Sequence, residues 1–433
     1  MKKFAAMLPL VALLSALPAA HADPKHPAWS RSANIYEVNL RQYSKEGTLN
    51  AFSASLPRLK QMGVDVIWLM PIHPIGKKNH KGTLGSYYAV QDYTAVNPDY
   101  GSMDDLRKLV KQAHALGMKV ILDWVGNHTA WDNPWAEQHP DWYKKNDKGE
   151  IYSVTFKNEA GEMEEWTDVI GLDYGNKALW QGMTDAMAFW VKEADIDGFR
   201  CDAAGLVPTE FWDQARARLD KIKPVFMLAE WNQPDLHAKA FDASYDWPLN
   251  EIMKKIGKGQ AGAAELKAYV EHPPKAYARD SYRLQFTNNH DINSWQGTDK
   301  ELYGPAWGAM TVLSYTLPGM PLIYSGQESR LEKKLEFFEK DPIDWKNYEL
   351  EGFYAGLNAL KRQNPALWNG AAGGTVQLLD VGNDQLFAFK RQQGANHVRV
   401  IVNPTATLQK YKLAGDDEQA VLKPWRWRII VPK

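Results

Sequence analysis

The chain has 433 residues, 45% of them hydrophobic and 24% charged, which is enough apolar content for a large core and excludes a disordered or fibrous chain. Its 51 Lys and Arg oppose 52 Asp and Glu with no basic run, so no nucleic-acid partner is expected and an uncharged or small substrate fits better. Aromatic residues make up 12%, with 18 Trp and 19 Tyr, many in segments that read as loops, where flat rings can stack on sugars or simply fill a core.

In chain order, Met1, Lys2 and Lys3 form a positive start, Phe4 to Leu17 is apolar, and Ala20-His21-Ala22 has the small-x-small pattern of a cleavage site. Residues 1–22 therefore read as a signal peptide cleaved after Ala22, and the protein as exported, periplasmic or secreted from a bacterium. No later segment approaches the ~18 consecutive apolar residues of a membrane span, so no membrane is expected for the mature form. The lone cysteine, Cys201, leaves stability to a large packed core rather than to disulfides. A monomer is expected.

Short β-like runs follow at Ile35–Leu40, Val64–Met70, Lys119–Asp123, Gly198–Asp202, Val225–Glu230, Ala243–Asp246, Arg283–Asn288 and Pro321–Tyr324. Helical patterns lie between most of them, among them Leu49–Met62, Ser102–Leu116, Leu179–Ala194 and Thr209–Lys221, the second opened by Ser102 with two acids in its first turn. Eight strands each followed by a helix predict an α/β chain, a (β/α)8 TIM barrel. The nearly continuous apolar runs at 64–70 and 118–122 are those of parallel strands buried on both faces.

The barrel is assigned to residues 23–127 and 177–364. This is longer than the roughly 250 residues typical of the fold, and the excess gathers in 128–176, read as an inserted lobe (domain B) after strand 3, over the barrel mouth. It carries Trp131, Trp135, Trp142 and Trp166. From 365 to 433 short alternating strands with turn signals predict a C-terminal antiparallel β-domain.

The chemistry gathers at strand ends. In Gly198-Phe199-Arg200-Cys201-Asp202 the period of two puts Arg200 and Asp202 on one face, and a guanidinium beside a carboxylate favours its ionised form. The next strand runs Met227-Leu228-Ala229-Glu230-Trp231, a second carboxylate behind three apolar residues, where desolvation raises a pKa toward that of a general acid. Two carboxylates in opposed environments point to glycoside hydrolysis. Asp123 leads into Asn127-His128, and Phe286-Thr287-Asn288-Asn289-His290-Asp291 adds an imidazole and a third carboxylate. Each of these has an ordinary structural reading as an ion pair, cap or turn; their convergence on the C-terminal face of one barrel points to an active site.

These four segments, in this order, resemble the signature regions of the α-amylase family, glycoside hydrolase family thirteen, over about residues 34–433. The resemblance implies a retaining hydrolase of α-1,4-linked glucans such as starch and maltodextrin. It implies Asp202 as nucleophile, Glu230 as general acid/base and Asp291 as the carboxylate that holds and distorts the sugar. Arg200, His128 and His290 would line that subsite, with Tyr88 stacking on the sugar and Trp231 beside it as a further substrate contact. Tyr88 follows Ser86-Tyr87 where the family has His-Gly. The Lys-His common after the nucleophile is replaced by Ala203, Ala204, Gly205 and Leu206, so the +2 subsite is built differently.

No cofactor is required for the chemistry. A structural calcium is the family's usual metal, and Asn127 matches one of its ligands. Gly171, however, stands where relatives have an Asp, and Asp132, Asp168 or Asp173 would have to complete the six to eight oxygens that calcium needs. The rival readings are a transglycosylase or isomerase of cyclodextrin or trehalose type working through the same intermediate, and a non-catalytic sugar-binding protein.

Overall fold

The computed structural model describes residues 26–157, 161–413 and 418–432; the segment read as a signal peptide, 1–22, lies outside the described residues. Each of the eight apolar runs forms a strand: Ile35–Val38, Val66–Leu69, Lys119–Val125, Gly198–Asp202, Phe226–Ala229, Ala243–Tyr245, Tyr282–Gln285 and Met320–Tyr324. All pair in parallel, each beside its successor, and the eighth closes on the first with Ile35 opposite Leu322. The strands are buried along almost their whole length, as a barrel filled inside and jacketed by helices outside requires. Gly198 is demanded by close approach: a Cβ there would lie 1.9 Å from the Phe226 carbonyl oxygen of the neighbouring strand.

The seventh strand stops at Gln285, three residues earlier than the sequence suggests, because Asn288 and Asn289 turn the chain. Asn288 Oδ1 accepts from the Asn289 N–H at 3.0 Å, and Asn289 Oδ1 accepts from the Ile292 N–H at 2.8 Å. This turn delivers His290 and Asp291 to the barrel mouth, ahead of a π-helical turn at Ile292–Gln296.

The helix expected at 49–62 is two helices, Leu49–Ser53 and Leu56–Met62, with Pro57 in the first turn of the second. Proline lacks the N–H a continuous helix needs and is accepted only at a helix start. Met103–Ala115 is capped as its sequence implies, Ser102 Oγ accepting from the Asp105 N–H while Asp105 accepts from the Ser102 N–H.

The inserted lobe is an antiparallel three-stranded sheet of His128–Ala130, Ser153–Lys157 and Met163–Gly171. The C-terminal β-domain has a four-stranded antiparallel sheet, Thr375–Leu378, Phe387–Gln393, Asn396–Val402 and Trp427–Ile430, and a separate hairpin, Gln409–Tyr411 with Ala420–Leu422. Arg391 fastens this domain to the barrel. Fully buried, it donates to the carbonyls of Leu317 at the end of a barrel helix and of Trp368 and Gly374 in the connecting segment. Among the described residues no helix is long and apolar enough to cross a membrane.

Candidate active site

A cleft of about 760 Å³ opens at the C-terminal face of the barrel, beneath the lobe. Asp202 ends the fourth strand, Glu230 follows the fifth and Asp291 follows the seventh, and all three border this cleft with Tyr88, His128, Trp231 and His290. Arg200 does not line it. The sequence reading places Arg200 on the subsite wall beside Asp202, whereas the structure buries it completely beneath the carboxylates. There its Nη1 donates to Asp123 at 2.9 Å and Asp202 at 3.0 Å, and its Nη2 is 2.7 Å from Glu230.

One guanidinium shared by three carboxyls cannot keep them all in their ordinary ionised range. Burial pushes the Asp202 carboxyl up to about 6, against the pull of Arg200 and with the help of the charges on Asp123 and Asp291. Asp123 is likewise pushed up to about 6 by burial. Burial pushes Glu230 up to about 8, again against Arg200, with Asp202 and Asp291 adding to the rise. The expected contrast between ionised Asp202 and protonated Glu230 therefore has a different origin: both carboxyls rise, and Glu230 rises further. Ala203, in a left-handed conformation with φ 43°, turns the chain so that its N–H donates to Glu230 Oε2 at 2.8 Å.

Asp291 goes the other way. Burial is the largest single influence and opposes its ionisation, but His290, Arg200 and Trp295 together lower it, His290 most among them. His290 Nε2 lies 3.3 Å from Asp291 and 2.7 Å from the Tyr88 hydroxyl, which itself donates to Asp123 at 3.2 Å. His128, whose ring meets Trp166 edge-on, is pushed down to about 4 by burial and is neutral. Between pH 6 and 8 the cleft thus holds an ionised carboxylate and a protonated carboxyl on the same guanidinium, a nucleophile beside an acid.

The walls hold residues that sequence reasoning missed. Trp247 and Trp295 follow the sixth and seventh strands, and Phe337 and Phe338 lie in the long loop after the eighth. Lys81, after the second strand, pairs with Asp168 of the lobe at 3.2 Å. These loops have no periodicity to read, and only their aromatic content signals a role. Of the four lobe tryptophans, Trp166 alone borders the cleft. Trp142 stacks on His139, Trp135 packs against Tyr93, and Trp131 donates to the Thr167 carbonyl. Leu206 is 42% exposed and borders the cleft beside Trp231. Gly205 is needed here, because a Cβ would lie 2.1 Å from the Trp231 indole nitrogen.

The side chains named above as candidate calcium ligands each have a partner within the chain. The Asn127 amide nitrogen faces His128 Nδ1 at 3.2 Å, and among the described residues no three His, Cys, Asp or Glu side chains gather as a metal site. Asp132 accepts from the Lys77 N–H and the Gln91 amide, Asp168 pairs with Lys81, and Asp173 accepts from the Gly175 N–H. The stem of Lys144 lies 3.3 Å from where a side chain at Gly171 would begin.

Residues 18–375 match the family model for the α-amylase catalytic domain. The chain is 28% identical over 392 residues to alpha-amylase MalA of Haloarcula japonica, covering 87% of this chain and 56% of that protein. It is also 28% identical over 416 residues to an alpha-1,4-glucan:maltose-1-phosphate maltosyltransferase of Rhodospirillum rubrum, covering 85% and 56%; the chain thus spans little more than half the length of these relatives. The crystal structure of an alpha-amylase from Lactobacillus plantarum superposes with a TM-score of 0.82 at 28% identity, over 94% of this chain and all of the other. With the eight-stranded barrel, its lobe and three carboxyls at its mouth, this match places the chain in the α-amylase family, glycoside hydrolase family thirteen.

Proposed function

We propose that the protein is a retaining hydrolase of α-1,4-linked glucans, with Asp202 as nucleophile, Glu230 as general acid and then base, and Asp291 as the carboxylate that holds the distorted sugar. The observation that carries this reading is the shared guanidinium: Arg200 reaches Asp202 at 3.0 Å and Glu230 at 2.7 Å. One planar cation thus holds both carboxyls at the same place in the cleft, as an acid and a nucleophile acting on one bond require; the retaining mechanism calls for a carboxyl separation of ~5 Å, the inverting one for ~6.5–9.5 Å. In the first step Glu230 gives its proton to the departing glycosidic oxygen while Asp202 attacks the anomeric carbon. In the second, the Glu230 carboxylate takes a proton from water as that water opens the glycosyl ester. The carboxyls supply both acid and nucleophile, so bond breaking itself calls for no metal.

Tyr88, Trp231 and the aromatic walls offer rings for sugars to stack on, which is why a glucan rather than a small charged ligand is proposed. Release of reducing sugar from maltooligosaccharides tests the reading, and no release by folded protein would leave a sugar-binding protein. A second reading, transfer of the glycosyl group to a sugar acceptor, is favoured by the apolar rim of Leu206, Trp231 and Trp247, which suits an acceptor sugar better than water. Product analysis on starch, pullulan, cyclodextrin, maltose and trehalose separates the two. Export after cleavage at Ala22, and action as a monomer, are proposed on the sequence pattern alone, and N-terminal sequencing of protein from the bacterial envelope tests the cleavage.

A further inference from the structure

Glu37 lies in the first barrel strand between Tyr36 and Val38, and nothing in its sequence context marks it. It is fully buried, and its Oε1 is 2.5 Å from His290 Nδ1; Oε2 has no hydrogen-bond partner among the described residues. A buried carboxylate with a single cationic neighbour is costly unless that neighbour carries a full charge.

The geometry around His290 is informative on both sides of the ring. Nδ1 faces the Glu37 carboxylate. Nε2 faces the Asp291 carboxylate at 3.3 Å and the Tyr88 hydroxyl oxygen at 2.7 Å, and that hydroxyl gives its own proton to Asp123. Acceptors on both sides require a donor at each nitrogen, and only the imidazolium has two. We propose that Glu37 is a positioning residue for the candidate site: accepting from Nδ1–H, it keeps His290 doubly protonated, so that Nε2–H is presented to Tyr88 and Asp291. This rests on the catalytic reading above and deepens it by assigning the element that keeps Asp291 charged.

The groups facing His290 are Glu37 from the first strand, Asp291 in its own turn, Tyr88 from the loop after the second strand, and Asp123 of the third strand behind Tyr88. Trp68 of the second strand meets the ring edge-on at 6.0 Å, and Arg200 lies 5.7 Å from the Tyr88 ring. Burial disfavours the imidazolium, yet the carboxylates of Asp291 and Glu37 raise His290 well above its ordinary range. In turn His290 is the strongest influence lowering Asp291 against burial.

The test is Glu37→Gln, which keeps size and an oxygen to accept from Nδ1–H but removes the charge. ¹⁵N NMR of histidine-labelled protein, with His290 assigned by its loss in His290→Gln, should show imidazolium nitrogens through pH 8 in the wild type and titration below pH 7 in Glu37→Gln. On a maltooligosaccharide, kcat should fall by ~10–100-fold with KM little changed, and the acidic limb of the pH profile should steepen as Asp291, now harder to ionise, must lose its proton as well as Asp202. A neutral His290 in the wild type at pH 7 would overturn the proposal, and so would a Glu37→Gln protein with unchanged imidazolium signals and an unchanged pH profile. If Glu37→Gln does not fold, the wild-type titration alone decides. If the protein cleaves no glucan, the NMR arm still stands, so failure of the catalytic reading is distinguishable from failure of this one.

Discussion

Asp202 and Glu230 share Arg200 but not an environment, and the difference fixes when the site can work. Asp202, pushed up to about 6, must have lost its proton, and Glu230, pushed up to about 8, must have kept its own. kcat/KM should therefore trace a bell with limbs near pH 6 and 8, and a flat profile from pH 5 to 9 would separate activity from these two groups. Glu230→Gln should lose ~10²–10⁴-fold on natural glucans, whose leaving group needs a proton. It should lose far less in forming the Asp202 ester from α-glucosyl fluoride, and azide should restore turnover by attacking that ester without base assistance. Asp202→Asn should lose both substrates alike. Equal losses on glucan and fluoride in a folded Glu230→Gln, with no azide response, would show that Glu230 is not the proton donor. At this scale the sequence is legible where a residue ends an apolar run, as Asp202 and Glu230 do. It is opaque at Glu37, which sits inside one, and at Arg200 beyond its strand neighbour Asp202, because Asp123 and Glu230 reach the guanidinium from other strands.

Elements were readable in proportion to their burial. The eight barrel strands are apolar on both faces and stand out at any window, whereas the split between Leu49–Ser53 and Leu56–Met62 depends on one proline, Pro57, within an otherwise continuous helical pattern. The aromatic walls at Trp295, Phe337 and Phe338 come from turns and loops that tertiary contacts alone arrange. The loop after the fourth strand shows how such a segment is tuned. Gly205 leaves room for Trp231, so Gly205→Ala should displace the indole and lower kcat/KM on maltooligosaccharides by up to ~10²-fold. The rate of ester formation from glucosyl fluoride, which needs no sugar on the leaving-group side, should change little. Unaltered activity on oligosaccharides with Trp231 displaced in the structure would remove Trp231 from the substrate path.

In the molecule as a whole, stability should depend on acid through histidines buried without charge. His73 is fully buried among Tyr93, Trp124 and Trp190, with neither ring nitrogen bonded among the described residues, and burial pushes it down to about 4. Its ordinary value is 6.5, so between pH 6.5 and 4 the unfolded chain binds the extra proton and stability falls as pH falls. His128, pushed to about 4, and His237, pushed to about 3, act in the same direction. His73→Phe should recover about 2 kcal/mol of the stability lost between pH 7 and pH 5, measured by urea unfolding at both values, and an unchanged difference would show that His73 is not a source of acid sensitivity. Barrel and lobe together line the cleft that the three carboxyls border, and the course of reaction at the anomeric carbon there decides the mechanism. ¹H NMR of the first product released from a maltooligosaccharide, recorded before mutarotation, tests this most directly: two displacements through Asp202 give the α-anomer first, and β-anomer appearing first would contradict the account.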